Sequence, residues 1–411
     1  MKNRGFTTSI IHSDRLGRPE HGSLHKPIHT SIAYGYEKAE DLAAVFQGTA
    51  KGYAYARQAN PTVNALEQKV TTLEQGVATV CFSTGMAALA AVFTALLRKG
   101  DHIVSSSFLF GNTNSLLNTL AGIGIDVTFV DATDARNVEA AVTPATRMVV
   151  VETIANPATQ VADMARIGTL CQAKGLIYMI DNTLTSPYLF LPKTVKAHLS
   201  VNSLSKYFGG HGNALGGSVT DLGGFDWSAF PNILDIYKTP GSDAAMFAML
   251  QLRKKGLRDF GGTLAPEAAH TLSVGSETLA LRMDRACANA SRLALHLSTH
   301  PKVKIVNYPG LPAHPQHGLA KELFKRPGAL LSFVLAAGVD TFAFLDKLKL
   351  AICSSNLGDN RTLIIPVAHT IFFEMGAARR ASMGIEDGMI RLSVGIEDTE
   401  DLLEDFSQAL G

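Results

Sequence analysis

"VNSLSKYFGGHGNALGG", Val201 to Gly217, places one lysine behind two serines and ahead of five glycines. Lys206 therefore has three readings: a solvated surface cation, part of a nucleotide-binding loop, or a nucleophile. The loop reading fails, because no Lys-Ser or Lys-Thr follows the glycines as a P-loop requires. The glycines instead read as a tight turn where backbones approach closely. Ser203 and Ser205 alternate, so a strand through them would aim both hydroxyls at one face. Which reading of Lys206 holds depends on the strands around it.

Outward from this stretch, short apolar runs recur: "ATVCFSTGM", "HIVSSS", "DVTFVD", "RMVVVE", "IYMIDN", "HLSVNS" and "GGSVT". Most are separated by helical patterns, such as "GNTNSLLNTLAGIG" and "DMARIGTLCQAKG". "VNALEQKVTTLEQG" reads as a helix stopped by Gly76. "MAALAAVFTALLRKG" carries Leu89, Val92, Phe93, Leu96 and Leu97 on one face and is expected to stop at Gly100. Buried strands alternating with helices predict an α/β fold with a mostly parallel sheet covered on both faces. From about residue 255 the order loosens. "SETLALRMDRACANASRLALHLSTH" is a long amphipathic helix, and "ALLSFVLAAG", "KLAICSSNLG", "TLIIPVAH" and "MIRLSVGIE" read as strands. "DTEDLLEDFSQAL" closes the chain as a helix with Asp398 at its N-cap. These elements predict a smaller C-terminal α/β domain. Residues 1 to about 55 are rich in His, Gly and aromatics with little periodicity, so this arm is expected to lie on another subunit rather than bury itself.

Composition bounds the function. The chain has 411 residues, 46% of them hydrophobic, enough for two or more domains with a large core. Lys and Arg total 37 against 36 Asp and Glu, a balance that argues against nucleic acid or an anionic membrane as the main partner. The first twenty residues lack the apolar core of a signal peptide, and no apolar run reaches the length of a membrane span. A cytoplasmic protein is expected. Cys81, Cys171, Cys287 and Cys353 are far apart and form no CxxC pair, so no metal site is expected and each reads as a small reduced core residue.

In such folds ligands sit at the carboxyl ends of strands. Those ends supply Thr84, Gly85 and Met86 at a helix start, Phe110, Glu152 and Asn156, Asp181, then Ser203, Ser205 and Lys206. Gly85-Met86 at a helix N-terminus can bind phosphate, or the glycine can be a steric need of the turn. Asp181 is either a buried carboxylate in need of a partner or a helix cap. Phe110 alone is core, and the serines alone are turn chemistry.

The ordered set is more specific than its members. "YAYARQANPT", "STGMAA", "ETIANP", "DNT", "SLSKYFGGHGN" and "RLSVGIED" occur in the order found in the Cys/Met-metabolism family of pyridoxal-phosphate (PLP) enzymes, which the chain resembles over nearly its whole length. The resemblance implies the aspartate-aminotransferase-like, type I PLP-dependent transferase fold. It divides the chain into an arm reaching a neighbouring subunit (1–60), a large PLP-binding domain (61–255) and a small domain (256–411), in a homotetramer built as a dimer of dimers. It implies Lys206 as the Schiff-base lysine and Asp181 as the partner of the pyridine nitrogen. Gly85, Met86, Ser203 and Ser205 would hold the phosphate, with Tyr55 and Arg57 reaching the phosphate of a neighbouring subunit. Asn156 would lie beside the ring, Phe110 would stack on it, Arg391 would bind the substrate carboxylate, and Asn356 would face the substrate.

The chain departs from the family's pattern in three places. Many members have Tyr in "LYG", where this chain has Phe110 in "LFG", a form similar to the O-succinylhomoserine sulfhydrylases. Asn112 stands where the lyases have Cys, and the family's "SLGD" reads "NLGD" with Asn356. Without the tyrosine hydroxyl, a weakly basic carboxylate is an easier leaving group than a thiolate. The expected reaction is therefore γ-replacement on an O-acylhomoserine by a sulfur nucleophile, with methionine γ-lyase or cystathionine lyase chemistry as the alternative. A dehydrogenase would need an early GxGxxG, which is missing.

Overall fold

The computed structural model describes residues 4–15, 19–238 and 243–411. Residues 1–3 and 16–18 of the expected arm, and 239–242 of the expected large domain, lie outside the described residues. Twelve strands form among the described residues: β1 Ala78–Phe82, β2 His102–Ser106, β3 Asp126–Val130, β4 Thr146–Glu152, β5 Ile177–Asp181, β6 Leu199–Asn202, β7 Gly217–Asp221, β8 Val303–Asn307, β9 Leu330–Leu335, β10 Ile352–Cys353, β11 Leu363–Pro366 and β12 Met389–Ser393. The helices that matter below are α1 Phe6–His12, α2 Ala39–Gln47, α3 Pro61–Glu74, α4 Gly85–Leu96, α5 Gly111–Ala121, α6 Met164–Lys174, α7 Leu279–Ser298 and α8 Thr399–Leu410.

The chain makes two compact units that interleave in sequence. The first contains the described residues up to Arg98, then His198–Ser205 and those of Asn213–Glu277. In it β7 pairs antiparallel with β1 and with β6, and Val219 faces both Val80 and Val201. The Asn60 side chain starts α3 by accepting from the Thr62 and Val63 N–H groups at 2.9 and 3.4 Å, and Pro61 follows it. Thr84 starts α4 in the same way, accepting from the Ala87 N–H at 3.0 Å. On α4, Leu89, Val92, Phe93 and Leu96 are all buried, as the spacing predicts.

The second unit contains Lys99–Ala197, Lys206–Gly212 and Thr278–Gly411. Its strands β5-β4-β2-β3 are all parallel. Between them α5 and α6 supply the crossovers such pairs need. A separate five-stranded sheet has the order β10-β11-β12-β9-β8. It packs on α7, whose Ala290, Leu293, Ala294 and Leu297 share one core with Leu331, Phe333, Ile390, Leu392 and, from α8, Phe406. Each large side chain there contributes about 1.5–3 kcal/mol over exposure to water. The α/β expectation is met: β1–β7 supply the mostly parallel strands and β8–β12 a second, smaller sheet.

Several local expectations are corrected. The residue that ends α3 in the left-handed region is Gln75, at φ 54°, not Gly76. Asp398 occupies the N-cap of α8 but makes no cap bond, because its carboxylate accepts from Arg285 at 2.7 Å. Cys353 is exposed, unlike the three buried cysteines, and its strand β10 has only two residues. β6 ends at Asn202, so Ser203 and Ser205 lie in the turn beyond the strand rather than on it. The arm is not featureless: α1 fully buries Ile10. By contrast α2 buries none of its residues.

Candidate functional site

The parallel register of β4 and β5 sets their last residues, Glu152 and Asp181, directly opposite each other. Two carboxylates so placed cannot both ionise cheaply. Burial, reinforced by the neighbouring Asp181, pushes Glu152 well above the usual carboxylate range. Asp181 is also raised by burial, but the Thr183 hydrogen bonds oppose that shift. Its Oδ1 accepts from the Thr183 N–H at 2.9 Å. The arrangement favours a neutral Glu152 beside an anionic Asp181. Glu152 Oε1 accepts from the Phe110 N–H at 2.7 Å, which ties the acid pair to the start of α5. Nearby in sequence, Asn156 is buried and its Oδ1 has no hydrogen-bond partner, an orphan acceptor of the kind a ligand fills.

A second cluster forms around Lys206. Its Nζ donates to Asn356 Oδ1 at 2.6 Å. Arg391, 1% exposed, donates through Nη2 to the carbonyls of Ser355 and Asn356 at 3.0 and 2.8 Å. Its Nε is buried without a partner. Burial, then the Arg391 charge, lowers Lys206 to about 8. Burial lowers Arg391 to about 10, so it stays cationic at neutral pH. The backbone around Lys206 is fixed from two sides. Gly358 sits at φ +75°, and a Cβ there would stand 2.8 Å from the Lys206 carbonyl carbon. Arg282 donates to the carbonyls of Tyr207 and Phe208 at 2.7 and 2.9 Å.

In the first unit, Gly85 opens α4 against the residue that follows β6. A Cβ at Gly85 would lie 2.9 Å from Ser203 Cβ, so only glycine allows this approach. Gly85 and Met86 are the first residues of α4, where N–H groups have no partner within the helix. Ser205 Oγ accepts from the Gly216 N–H at 2.8 Å and lies 3.2 Å from the Gly216 carbonyl, which pins the turn before Lys206. Tyr55 and Arg57 are exposed side by side, the guanidinium 5.5 Å from the ring centroid. Arg57 donates to the Arg258 carbonyl at 2.6 Å, and its own carbonyl accepts from Thr263.

The structure thus brings Lys206, Asn356 and Arg391 together. It joins Asp181 to Phe110 through Glu152, and sets Gly85 against Ser203. Sequence reading noted Glu152 only as a strand-end acid and missed Arg282. The signal for Glu152 was present, since it and Asp181 both end apolar strands. Arg282 gave none, being 75 residues beyond the carbonyl it holds.

A family model described as Cys/Met metabolism PLP-dependent enzyme matches residues 7–411. A homocysteine synthase of Schizosaccharomyces pombe is 36% identical over 100% of this chain and 99% of its own length. An L-methionine γ-lyase of Pseudomonas deceptionensis is 37% identical over 100% and 98%. A crystal structure of a putative O-acetylhomoserine (thiol)-lyase from Campylobacter jejuni, in which a lysine carries the pyridoxyl 5′-monophosphate, has TM-score 0.92 and 30% identity over 99% of this chain and 100% of that one.

The residues present fit that cofactor on three independent observations. A half-buried lysine is lowered by desolvation to about 8 from its usual 10.5. One carboxyl of the opposed pair, Asp181, has the Thr183 N–H and no cation among its named bonds. An orphan buried Asn156 oxygen stands ready for a polar group. Among the described residues no cluster of three or more His, Cys, Asp or Glu could hold a metal ion, and no helix is long and apolar enough to cross a membrane. The chain belongs to the Cys/Met-metabolism PLP-dependent enzymes, and pyridoxal 5′-phosphate is its cofactor.

Proposed function

We propose that the chain catalyses γ-replacement on an O-acylhomoserine, exchanging the acyloxy group for a sulfur nucleophile, as a transferase of methionine and cysteine metabolism. The observation that carries this reading is Phe110, a ring without a hydroxyl whose backbone is anchored on the acid pair. A carboxylic acid has a pKa of about 4 and a thiol about 8.5, a gap worth on the order of 6 kcal/mol in leaving-group basicity. A site that lacks a proton donor at Phe110 expels the carboxylate far more easily than the thiolate.

In this reading PLP supplies the electron sink for charge leaving the substrate's Cα. Lys206 holds it covalently and then moves protons through Nζ, for which a value of about 8 is suited near neutral pH. Asp181 keeps the ring nitrogen protonated. Gly85, Met86, Ser203 and Ser205 hold the phosphate, and Asn156 orients the ring. The buried Arg391 offers its unpartnered Nε to the substrate carboxylate. Asn356 steadies the Lys206 amine whenever that amine is free.

Assembly completes the reading. Tyr55 and Arg57 are exposed, and α2 buries nothing within its own chain. This supports the arm, residues 1–60, as a segment that crosses to a neighbouring subunit and brings Arg57 to its phosphate. A homotetramer of two such dimers, with the large domain at 61–255 and the small one at 256–411, is the corresponding assembly. The near-neutral charge supports small-molecule substrates rather than nucleic acid, and a cytoplasmic location is part of this reading.

A lyase reading, cleaving methionine or cystathionine, is favoured by the likeness to a methionine γ-lyase at the same level of identity as to a homocysteine synthase. A substrate panel separates the two. O-acetyl- and O-succinylhomoserine are each offered with sulfide, cysteine or methanethiol, and methionine and cystathionine are offered alone. The proposal expects the highest kcat/KM on an ester with a thiol donor. A higher value on methionine or cystathionine alone overturns it.

A further inference from the structure

The Glu152 carboxyl has no part in the assignments above, yet it occupies the most constrained place near them. It is 8% exposed and stands opposite Asp181 across a parallel strand pair. It receives the Phe110 N–H at 2.7 Å. It also lines a cavity of ≈ 10 Å³ with Ser106, Thr133 and Gln160, about the space of one water molecule.

From this geometry we propose that Glu152 is a positioning residue that acts as a neutral acid: it leaves the single negative charge of the pair on Asp181 and fixes the Phe110 backbone through its Oε1. Two adjacent buried carboxylates share one charge, because a second would be paid for in repulsion and lost hydration. The acid that gives up its charge is the more enclosed one, and the cavity has room for a water to accept a hydrogen bond from the O–H it retains. Asp181 is then an anion that a protonated ring nitrogen can satisfy. The upward displacement of Glu152 by burial and by Asp181 agrees with this division. So does the Thr183 N–H aimed at Asp181, which favours the anion there. Phe110 gains a fixed backbone, so its ring is set by the same residue that sets the charge.

The inference rests on the reading that Asp181 pairs with the ring nitrogen, and the experiment separates the two. Glu152→Gln, Glu152→Ala and Asp181→Asn are compared with wild type by the PLP dissociation constant, the absorption spectrum of bound PLP, and the melting temperature of the cofactor-free chain. Glutamine has the shape and polarity of the neutral acid, and its carbonyl still accepts from the Phe110 N–H. Glu152→Gln should therefore bind PLP within about threefold of wild type and keep its spectrum. Glu152→Ala, which removes the acceptor, should bind roughly tenfold more weakly. Asp181→Asn should bind more weakly still and alter the spectrum. If Glu152→Gln loses more than about threefold, Glu152 works as an anion and the proposal fails. It also fails if Glu152→Ala matches wild type. If Asp181→Asn leaves affinity and spectrum unchanged, the assignment of Asp181 fails instead. A cofactor-free melting temperature held by Glu152→Gln shows that its result reports the site and not the fold.

Discussion

Glu152 with Asp181 and Lys206 with Arg391 are both pairs of like charge taken out of water, but they resolve the conflict differently. In the acid pair both values rise, and a proton can remain on one partner at modest cost. In the basic pair both values fall. Arginine does not release its proton near neutral pH, so the strain falls on the lysine. The acid pair thereby fixes a charge, and the basic pair loosens one. Asn356 joins the two bases, its side-chain oxygen accepting from Lys206 and its carbonyl from Arg391. The same burial that holds one carboxylate neutral makes one amine ready to trade protons.

The harshest way to break the comparison is to delete the amine. Lys206→Ala should lose turnover by roughly 10⁴-fold or more and lose the adduct that borohydride traps. An adduct on any other lysine would refute its role. Mixing Lys206→Ala with Arg57→Ala chains extends the test to the arm. With random pairing, about a quarter of wild-type activity should return, since only mixed dimers carry one intact site. Hybrids that form without recovering activity would remove Arg57 from a neighbour's site.

A milder change sharpens the comparison. Arg391→Gln removes the charge that helps lower Lys206, so the lysine should rise from about 8 toward its usual 10.5. A lysine acting as a base works when deprotonated. The acid limb of the pH–rate profile should therefore move to higher pH, by about one unit. Loss of the carboxylate contact should lower kcat/KM on the order of 10²-fold. An unmoved limb would show that burial alone sets Lys206. The sign in stability is fixed too. Between about 8 and 10.5 the unfolded chain binds more protons at this residue than the folded one. In the cofactor-free protein Lys206 therefore adds stability as pH rises through that window, and its full cost is present below it.

Much of this was legible in the chain. Every strand from β1 to β7 matches a quoted apolar run to within one residue, because core strands are short, continuous and largely apolar. The acid pair was half legible. Two strands ending in carboxylates can be read, but the register that sets Glu152 opposite Asp181 requires β4 and β5 to be neighbours. The basic cluster was less so, since Asn356 and Arg391 reach Lys206 across 150 and 185 residues of chain, a closure no local pattern encodes. β8 was missed because none of its five residues is buried and Lys304 and Asn307 break up a short apolar stretch. The serines were placed on the strand although the ladder ends at Asn202, one residue before Ser203 and three before Ser205.

The central claim, that a phenylalanine in place of a hydroxyl-bearing ring commits the enzyme to carboxylate departure, is tested most directly by Phe110→Tyr. The quantity is the ratio of kcat/KM for O-acylhomoserine plus thiol to kcat/KM for elimination from methionine, measured on both proteins. Restoring the hydroxyl should raise thiolate departure and leave carboxylate departure nearly unchanged, so the ratio should fall by roughly 10²-fold, the low end of what one proton donor contributes. A wild type that already prefers methionine, or a ratio unmoved by tyrosine, would contradict the account and leave Phe110 as a ring that only stacks.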